Sequence, residues 1–433
     1  MTMNANARPL LSLDEALSRL VAGTLPHRIT QTESVSTFDA LGRVLAADVL
    51  SALDVPPEDN TAMDGYALNT ADVRAAATVL RVGQRIPAGV PGHALERGTA
   101  ARIFTGGQVP PGADAVVMQE QCEALAAVPG DDMALGRVRI DTVPAHGQWI
   151  RRRGEDVRLG AAVLQAGMRL SPQALGMAAS VGAATLPVVR RPRVAVFSTG
   201  DELMMPGEPL RPGAIYNSNR YTHRGLLQAA GCEVTDLGIV PDRLDATRAA
   251  LREAAIDNDL IITCGGVSVG EEDHLKPAVQ AEGSLQHWQV AMKPGKPLAF
   301  GEVRRAVPAR HTGSDAHANA ALFIGLPGNP VSSFITYLLA VTTVLRVLQG
   351  MPTGLPAGVP LRADFDWPRP DKRREFLRVR INAEGGLDLF PNQSSGVLTS
   401  TVWADGVVDL PGGQVVRRGD VLRYRALAEM ISS

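Results

Sequence analysis

At 433 residues the chain is too long for one ordinary hydrophobic core, and roughly three domains are expected from length alone. Apolar residues make up 45% and charged residues 20%, the balance of a soluble globular protein, and a net charge of −2 supplies no basic field to recruit nucleic acid. No run of about 18 apolar residues suited to spanning a bilayer stands out, and Met1–Arg8 lacks the apolar stretch of a secretion signal. The cysteines, Cys122, Cys232 and Cys264, form no CxxC pair, so a reducing cytoplasm is expected and no membrane partner.

Ser12-Leu-Asp-Glu15 reads as a capping box opening a helix to about Val21. A second helical pattern is expected near Thr37–Leu45. Residues 48–147 are rich in Gly, Pro and Val, with strand-like runs at Thr78–Val82 and Ala115–Gln119, and predict a small β-rich domain. Ile150–Leu170 reads as an extended connector and Pro172–Val181 as a short helix. Residues 148–190 then join 8–47 in an elongated N-terminal domain.

From Arg193 the texture becomes β-α alternation. Strands are expected at Val194–Phe197, Glu233–Ile239, Leu260–Thr263, Val290–Lys293, Pro297–Phe300 and Ala321–Gly325. Helices are expected at Asn219–Ala230, Ala246–Ala255 and Val331–Val347. This is an α/β domain over 191–350, with a mixed or parallel sheet covered on both faces. Glu302–Asn319 reads as a surface loop. After Met351-Pro352, short strands with turns at Glu384-Gly-Gly and Pro411-Gly-Gly predict a small C-terminal β-barrel or sandwich over 353–433. The fold class is multidomain α/β.

Chemistry-bearing residues collect at the ends of those strands. Leu260–Thr263 runs into Gly265-Gly266, then Ser268, Gly270 and the acids Glu271-Glu272-Asp273. A glycine turn at the carboxyl end of a strand is where open α/β sheets bind ligands, and its N–H groups suit a phosphate. Carboxylates beside a phosphate need a divalent cation between them, so the segment suggests a phosphorylated ligand with Mg²⁺; a plain turn with solvated acids is the alternative. Ser198-Thr199-Gly200-Asp201-Glu202 and Pro241-Asp242-Arg243 follow two other strands, and Gly325-Leu-Pro327-Gly328-Asn329-Pro330 leads into the long helix. The loop Lys293-Pro-Gly-Lys296-Pro offers either an oxyanion clamp or a turn with two solvated lysines.

Taken together, Thr-Gly-Asp-Glu-Leu, Gly-Gly-Val-Ser-Val-Gly-Glu-Glu-Asp, Met-Lys-Pro-Gly-Lys-Pro and Leu-Pro-Gly-Asn-Pro-Val-Ser resemble the molybdopterin molybdotransferase family, the molybdenum-insertion enzymes that include the gephyrin E domain. The resemblance extends to Pro56–Ala67, Arg102–Glu120, Arg151–Asp156 and Ser394–Ser400, covering essentially residues 10–425. It implies an enzyme of molybdenum cofactor biosynthesis that converts adenylylated molybdopterin and molybdate to molybdenum-molybdopterin and AMP. On that resemblance Glu202, Asp242 and Asp273 hold Mg²⁺, and Asp64 and Thr105 join Lys293 and Lys296 in catalysis. Thr199, Gly200, Asp201, Gly265, Gly266, Ser268, Gly270 and Pro327–Pro330 hold the pterin and phosphates. Lys293, Lys296, Arg373 and Ser395 meet molybdate. The stretch Asp371-Lys372-Arg373-Arg374-Glu375-Phe376 departs from the family's Gly-Arg pattern; alignment on Glu375-Phe376 favours Arg373 over Arg374 as the residue facing the site. The family is an elongated homodimer with shared active sites, in which the β-rich domain of one subunit closes over the partner's α/β domain. A molybdopterin adenylyltransferase and acceptor molybdoenzymes are the implied protein partners. A molybdopterin adenylyltransferase and a gephyrin-like scaffold are the alternative functions; the Asp64 and Ser395 motifs weigh against the first and the acid and lysine positions against the second.

Overall fold

A computed structural model describes residues 10–126, 135–266, 274–306 and 319–432 of the chain. The capping box forms: Glu15 N donates to Ser12 Oγ at 3.2 Å and Ser12 N to a Glu15 carboxylate oxygen at 2.9 Å. It opens the helix Leu13–Thr24, which buries Leu13, Ala16 and Leu20. The helix expected near Thr37–Leu45 is instead one 3₁₀ turn, Thr37–Asp39. The segment is claimed from both sides by extended pairing: Thr32–Ser36 lies antiparallel to Thr185–Val189, and Val44 and Leu45 bridge Arg169 and Val188. Tertiary strand contacts override a local helical period here.

Residues 60–140 carry a six-stranded sheet in the order Ala115–Met118, Gly65–Leu68, Thr99–Ile103, Thr78–Ile86, Arg137–Ile140, Cys122–Leu125. Short ladders, Ile150–Arg151 with Asn60–Thr61 and Ala162–Leu164 with Val49–Leu50, make up the connector, ahead of the helix Pro172–Ser180.

The α/β sheet runs Glu233–Val240, Arg193–Thr199, Leu260–Cys264, Ala320–Leu326, Pro297–Arg304, Gly283–Gln289. The first four strands are parallel and the last two antiparallel. Its strands face two cores in alternation. Val194, Leu260 and Ile262 pack towards the helices Ser218–Ala229 and Pro330–Leu348, and Ala195, Phe197 and Ile261 towards Leu244–Ala255 and Leu275–Glu282. The chain leaves Arg193–Thr199 towards one sheet edge and Leu260–Cys264 towards the other. That divergence is a topological switch point, and it opens a crevice at the strands' carboxyl ends.

One helix does have the length and apolarity of a membrane span, contrary to the sequence expectation: Pro330–Leu348, 19 residues with mean hydropathy 1.8. It is 89% buried inside the protein, where a helix apolar all round serves as a core element.

In the C-terminal region the strands follow the path Met292–Lys293, Arg374–Ile381, Gly406–Leu410, Val421–Ala426, Val359–Arg362, with Leu387–Leu389 paired to Arg374–Ile381. No ladder closes this path into a barrel among the described residues; a single bridge, Ala363 to Leu387, links its far strand back. Leu377, Val379, Val408 and Leu422 fill the interior. The two-residue strand Met292–Lys293 belongs to the α/β region by sequence, yet pairs in parallel with Arg374 and Glu375. It stitches the lysine loop to the C-terminal sheet.

Candidate functional site

The crevice at the switch point is a cleft of about 480 Å³. Its wall includes Ser198, Thr199 and Glu202 from one strand end, Cys264, Gly265 and Gly266 from the next, and Pro327–Pro330 from the third. Gly265 sits at φ +96°, and a Cβ there would come within 2.9 Å of the Thr199 carbonyl, so the two strand ends meet only because the residue is glycine. Asn219, in the first turn of Ser218–Ala229, ties the walls together: its side-chain amide donates to the Gly328 carbonyl and to Cys264 Sγ, both at 2.8 Å. Burial pushes the Cys264 thiol up to about 11, so it stays protonated.

One acid lines the cleft and two more meet beside it in the chain fold. Glu202 is on the cleft wall, and Asp242 N donates to Asp201 Oδ1 at 3.4 Å, a long contact that brings two strand-end loops together. Among the described residues no three acidic, histidine or cysteine side chains form a metal-holding group. Ser268, Gly270 and Asp273 lie outside the described residues.

The cations form a second group, around the lysine loop. In the lysine loop Gly295 lies at φ +102°, and a Cβ would meet Thr336 Oγ1 at 2.3 Å, so the loop is pressed onto the long helix. Lys296 is exposed, and Pro297 beside it reaches the cleft wall. Lys293 Nζ is 3.1 Å from Glu375 Oε1, an ion pair without hydrogen-bond geometry, and 3.7 Å from Asp371. Glu375 is fully enclosed and accepts from Trp367 Nε1 and Asp371 N. Arg373 grips Asp371 with Nε at 2.9 Å and Nη2 at 2.8 Å, and those bonds hold the Asp371 carboxyl far below the usual carboxylate range. Arg374 points elsewhere, with two bonds to Asp409 and one to Asp14 of the N-terminal helix. Ser395 is brought to the start of the long helix, where its carbonyl accepts from Val331 N at 2.9 Å. Arg378, 1% exposed, anchors that segment through the Ser394 carbonyl and Ser400 Oγ.

Asp64 and Thr105 form a third group within the 60–140 sheet. Thr105 donates to Asp64 Oδ1 from its hydroxyl at 2.6 Å and its backbone N–H at 2.7 Å, which lowers the Asp64 pKa. Neither residue lines the cleft.

Comparison with known proteins identifies the regions of the chain. Residues 11–182 match the MoeA N-terminal region (domain I and II), 195–346 a probable molybdopterin binding domain, and 360–426 the MoeA C-terminal region (domain IV). The molybdopterin molybdenumtransferase of Haemophilus influenzae is 39% identical over 79% of this chain and 78% of its own. That of Bacillus subtilis is 34% identical over 94% of this chain and 91% of its own. The chain belongs to the molybdopterin molybdenumtransferase (MoeA) family. A crystal structure of a Pyrococcus horikoshii molybdopterin biosynthesis moeA protein superposes with a TM-score of 0.79 at 28% identity, covering 96% of this chain and all of that one.

Within this family member, the structure brings Thr199, Glu202, Gly265, Gly266 and Pro327–Pro330 onto one wall, with Gly200, Asp201 and Asp242 adjoining. Lys293, Arg373 and the acids Asp371 and Glu375 form one cluster. Sequence reasoning named Ser198 and Asp371 only within longer motifs, without a role for either, and missed Asn217 and Asn219. The run Asn217-Ser-Asn219 ahead of an apolar-periodic segment signals a helix N-cap, and only the fold shows that the cap faces a cleft.

Proposed function

We propose that the chain is an enzyme of molybdenum cofactor biosynthesis that inserts molybdate into adenylylated molybdopterin and releases AMP. The observation that carries the reading is the cleft itself: a glycine turn and strand-end acids on one wall, and a lysine–arginine cluster tied to the same α/β domain through Met292–Lys293. The cleft suits the pterin and phosphates. Lys293, Lys296, Arg373 and Ser395 suit a tetrahedral dianion, which cations and short hydroxyls bind well.

Asp201, Asp242 and Glu202, with Asp273, would hold Mg²⁺; one or two carboxylates suffice where phosphate oxygens complete the shell, so the paired loops fit the ion without a three-acid cage. When bound, the cation would neutralise phosphate charge and polarise the bond under attack. Gly265 and Gly266 let the backbone approach the phosphates, and the lysines orient molybdate. Asp64 stays ionised through Thr105.

The active unit in this proposal is a homodimer. Asp64 and Thr105 reach the partner subunit's cleft, which explains two ordered polar residues in a sheet that contributes nothing to its own cleft. The enzyme works in the cytoplasm, between a molybdopterin adenylyltransferase and acceptor molybdoenzymes. Incubation with adenylylated molybdopterin tests the reading: AMP should appear only when molybdate and Mg²⁺ are both present. AMP release indifferent to molybdate contradicts insertion.

A further inference from the structure

A chain of buried polar groups joins the three elements that build the cleft wall. Asn219 and His223 lie four residues apart and so share one face of the helix Ser218–Ala229. Asn219 donates to Cys264 Sγ at 2.8 Å, and His223 Nε2 is 2.9 Å from Ser333 Oγ, near the start of the long helix. Ser333 Oγ is 3.5 Å from Cys264 Sγ, and the Cys264 thiol donates to the Pro327 carbonyl at 3.3 Å. His223 also stacks on Tyr337, one turn beyond Ser333. His223 and Ser333 are 0% exposed and stand behind the wall, while Cys264, at 4%, is part of it.

The direction of the chain follows from its buried end. His223 Nδ1 finds no partner among the described residues. An orphaned buried N–H is rarer than an orphaned acceptor, which places the ring proton on Nε2. Nε2–H then donates to Ser333 Oγ, the Ser333 hydroxyl is left to donate to Cys264 Sγ, and the thiol to donate to Pro327. The cleft loop depends on such ties. Pro327 and Pro330 have no N–H, so other elements hold the loop by its carbonyls: Cys264 holds that of Pro327, and Asn219 that of Gly328. Apolar side chains would fill the same space with no polar group to desolvate. A connected polar chain instead fixes one arrangement of the elements that meet there.

We infer that His223, Ser333 and Cys264 are positioning residues: a relay donating from His223 Nε2 through Ser333 Oγ and Cys264 Sγ to the Pro327 carbonyl holds the Pro327–Pro330 loop in its binding arrangement. The inference rests on the proposed function and adds residues that act on the ligand only through that loop.

Steady-state turnover of adenylylated molybdopterin by the full chain, with Mg²⁺ and molybdate, tests it. A loop that keeps its binding arrangement only a tenth of the time raises KM about tenfold and changes kcat little. Ser333→Ala and Cys264→Ala should each do this, and the double variant should be no worse than either, since both break one chain. Cys264→Ser keeps a donor for the Pro327 carbonyl and should recover most of the loss. A role in stability alone would reduce the active fraction, hence the apparent kcat, and leave KM where it was. KM unchanged in both alanine variants, or losses that multiply in the double variant, overturns the inference. If Ser333→Ala does not fold, the Cys264 pair decides: KM raised by alanine and recovered by serine supports the relay, and any other result overturns it. Nitrogen-15 NMR of the ligand-free, histidine-labelled protein reads the direction without turnover. The His223 signals, identified by their absence from His223→Gln, should show the proton on Nε2, and a proton on Nδ1 overturns the relay as drawn. A wild type that binds adenylylated molybdopterin by calorimetry without turning it over contradicts the proposed function alone, and dissociation constants then replace KM in the same comparison. A wild type that does not bind it overturns both.

Discussion

Arg373 and Arg374 are neighbours in sequence with opposite jobs, and replacing them one at a time separates stability from anion binding. Arg374 places Nε and Nη2 on Asp409 at 2.6 and 2.7 Å, and Nη1 on Asp14 of the N-terminal helix at 3.0 Å. Asp409 has 4% side-chain exposure and also receives Arg425 at 3.1 Å. Breaking a buried pair from one side costs about 3–5 kcal/mol. Arg425 remains to neutralise Asp409, and Arg374 keeps 26% exposure, so the cost of Arg374→Ala should fall to about 2–3 kcal/mol. With a urea slope of about 1–3 kcal/mol per molar, the midpoint should drop by about 1 M. Tryptophan fluorescence follows the transition, with Trp367 and Trp403, two of the chain's four tryptophans, in the C-terminal region. Arg373→Ala should move the midpoint little, because Arg373 and Asp371 keep 25% and 21% exposure, and should instead weaken molybdate binding. Burial raises the Asp409 pKa, but the Arg374 bonds and the charges of Arg374 and Arg425 more than offset it, leaving it below 3.8. The stabilisation is present above that ordinary value and is lost as pH falls through the folded value, so the Arg374→Ala penalty should shrink in acid. Equal midpoints for the two variants at pH 7, or molybdate affinity lost only in Arg374→Ala, would refute this division of roles.

Lys296→Ala should raise the molybdate requirement about ten- to a hundredfold, the worth of one charge-assisted contact, with adenylylated-molybdopterin binding less affected; titration of both ligands checks this, and sulfate and tungstate should compete. Asp64→Ala and Asp242→Ala subunits, each inactive as homodimers, should regain part of the activity when mixed as heterodimers, since one composite site keeps both acids; confirmed heterodimers that stay inactive place the acids in a single-chain site. His223 is fully buried against Ser333 and Tyr337, and burial pushes its pKa down to about 4. Its neutral form is favoured in the folded protein, so stability is full above pH 6.5 and declines as pH falls towards 4, by about 3 kcal/mol. His223→Gln should flatten that slope in urea titrations between pH 7 and 4, and an unchanged slope would count against a neutral buried histidine.

The α/β domain was legible because its strands are short apolar runs bounded by glycine and its helices carry a 3.6 period; Leu260–Thr263 and Val331–Val347 fall within a residue or two of the observed elements. The 37–45 segment was not, since its pairing partners lie more than a hundred residues away. The wall residues at strand ends could be read from glycines and acids in sequence. The roles of Arg373 and Arg374 could not, because Asp371 and Asp409 decide them, and Asp409 reaches Arg374 only through the pairing of Arg374–Ile381 with Gly406–Leu410. Asn217 looks like any N-cap until the fold places it on a cleft wall.

The most direct test of molybdenum insertion is a stoichiometry. The purified protein is given adenylylated molybdopterin, Mg²⁺ and molybdate, and AMP is measured together with molybdenum retained on the reisolated molybdopterin. Insertion predicts one molybdenum gained for each AMP released, and neither without the other. AMP formed with no molybdenum retained, or ATP consumed to adenylylate molybdopterin with no molybdenum chemistry at all, would contradict the account.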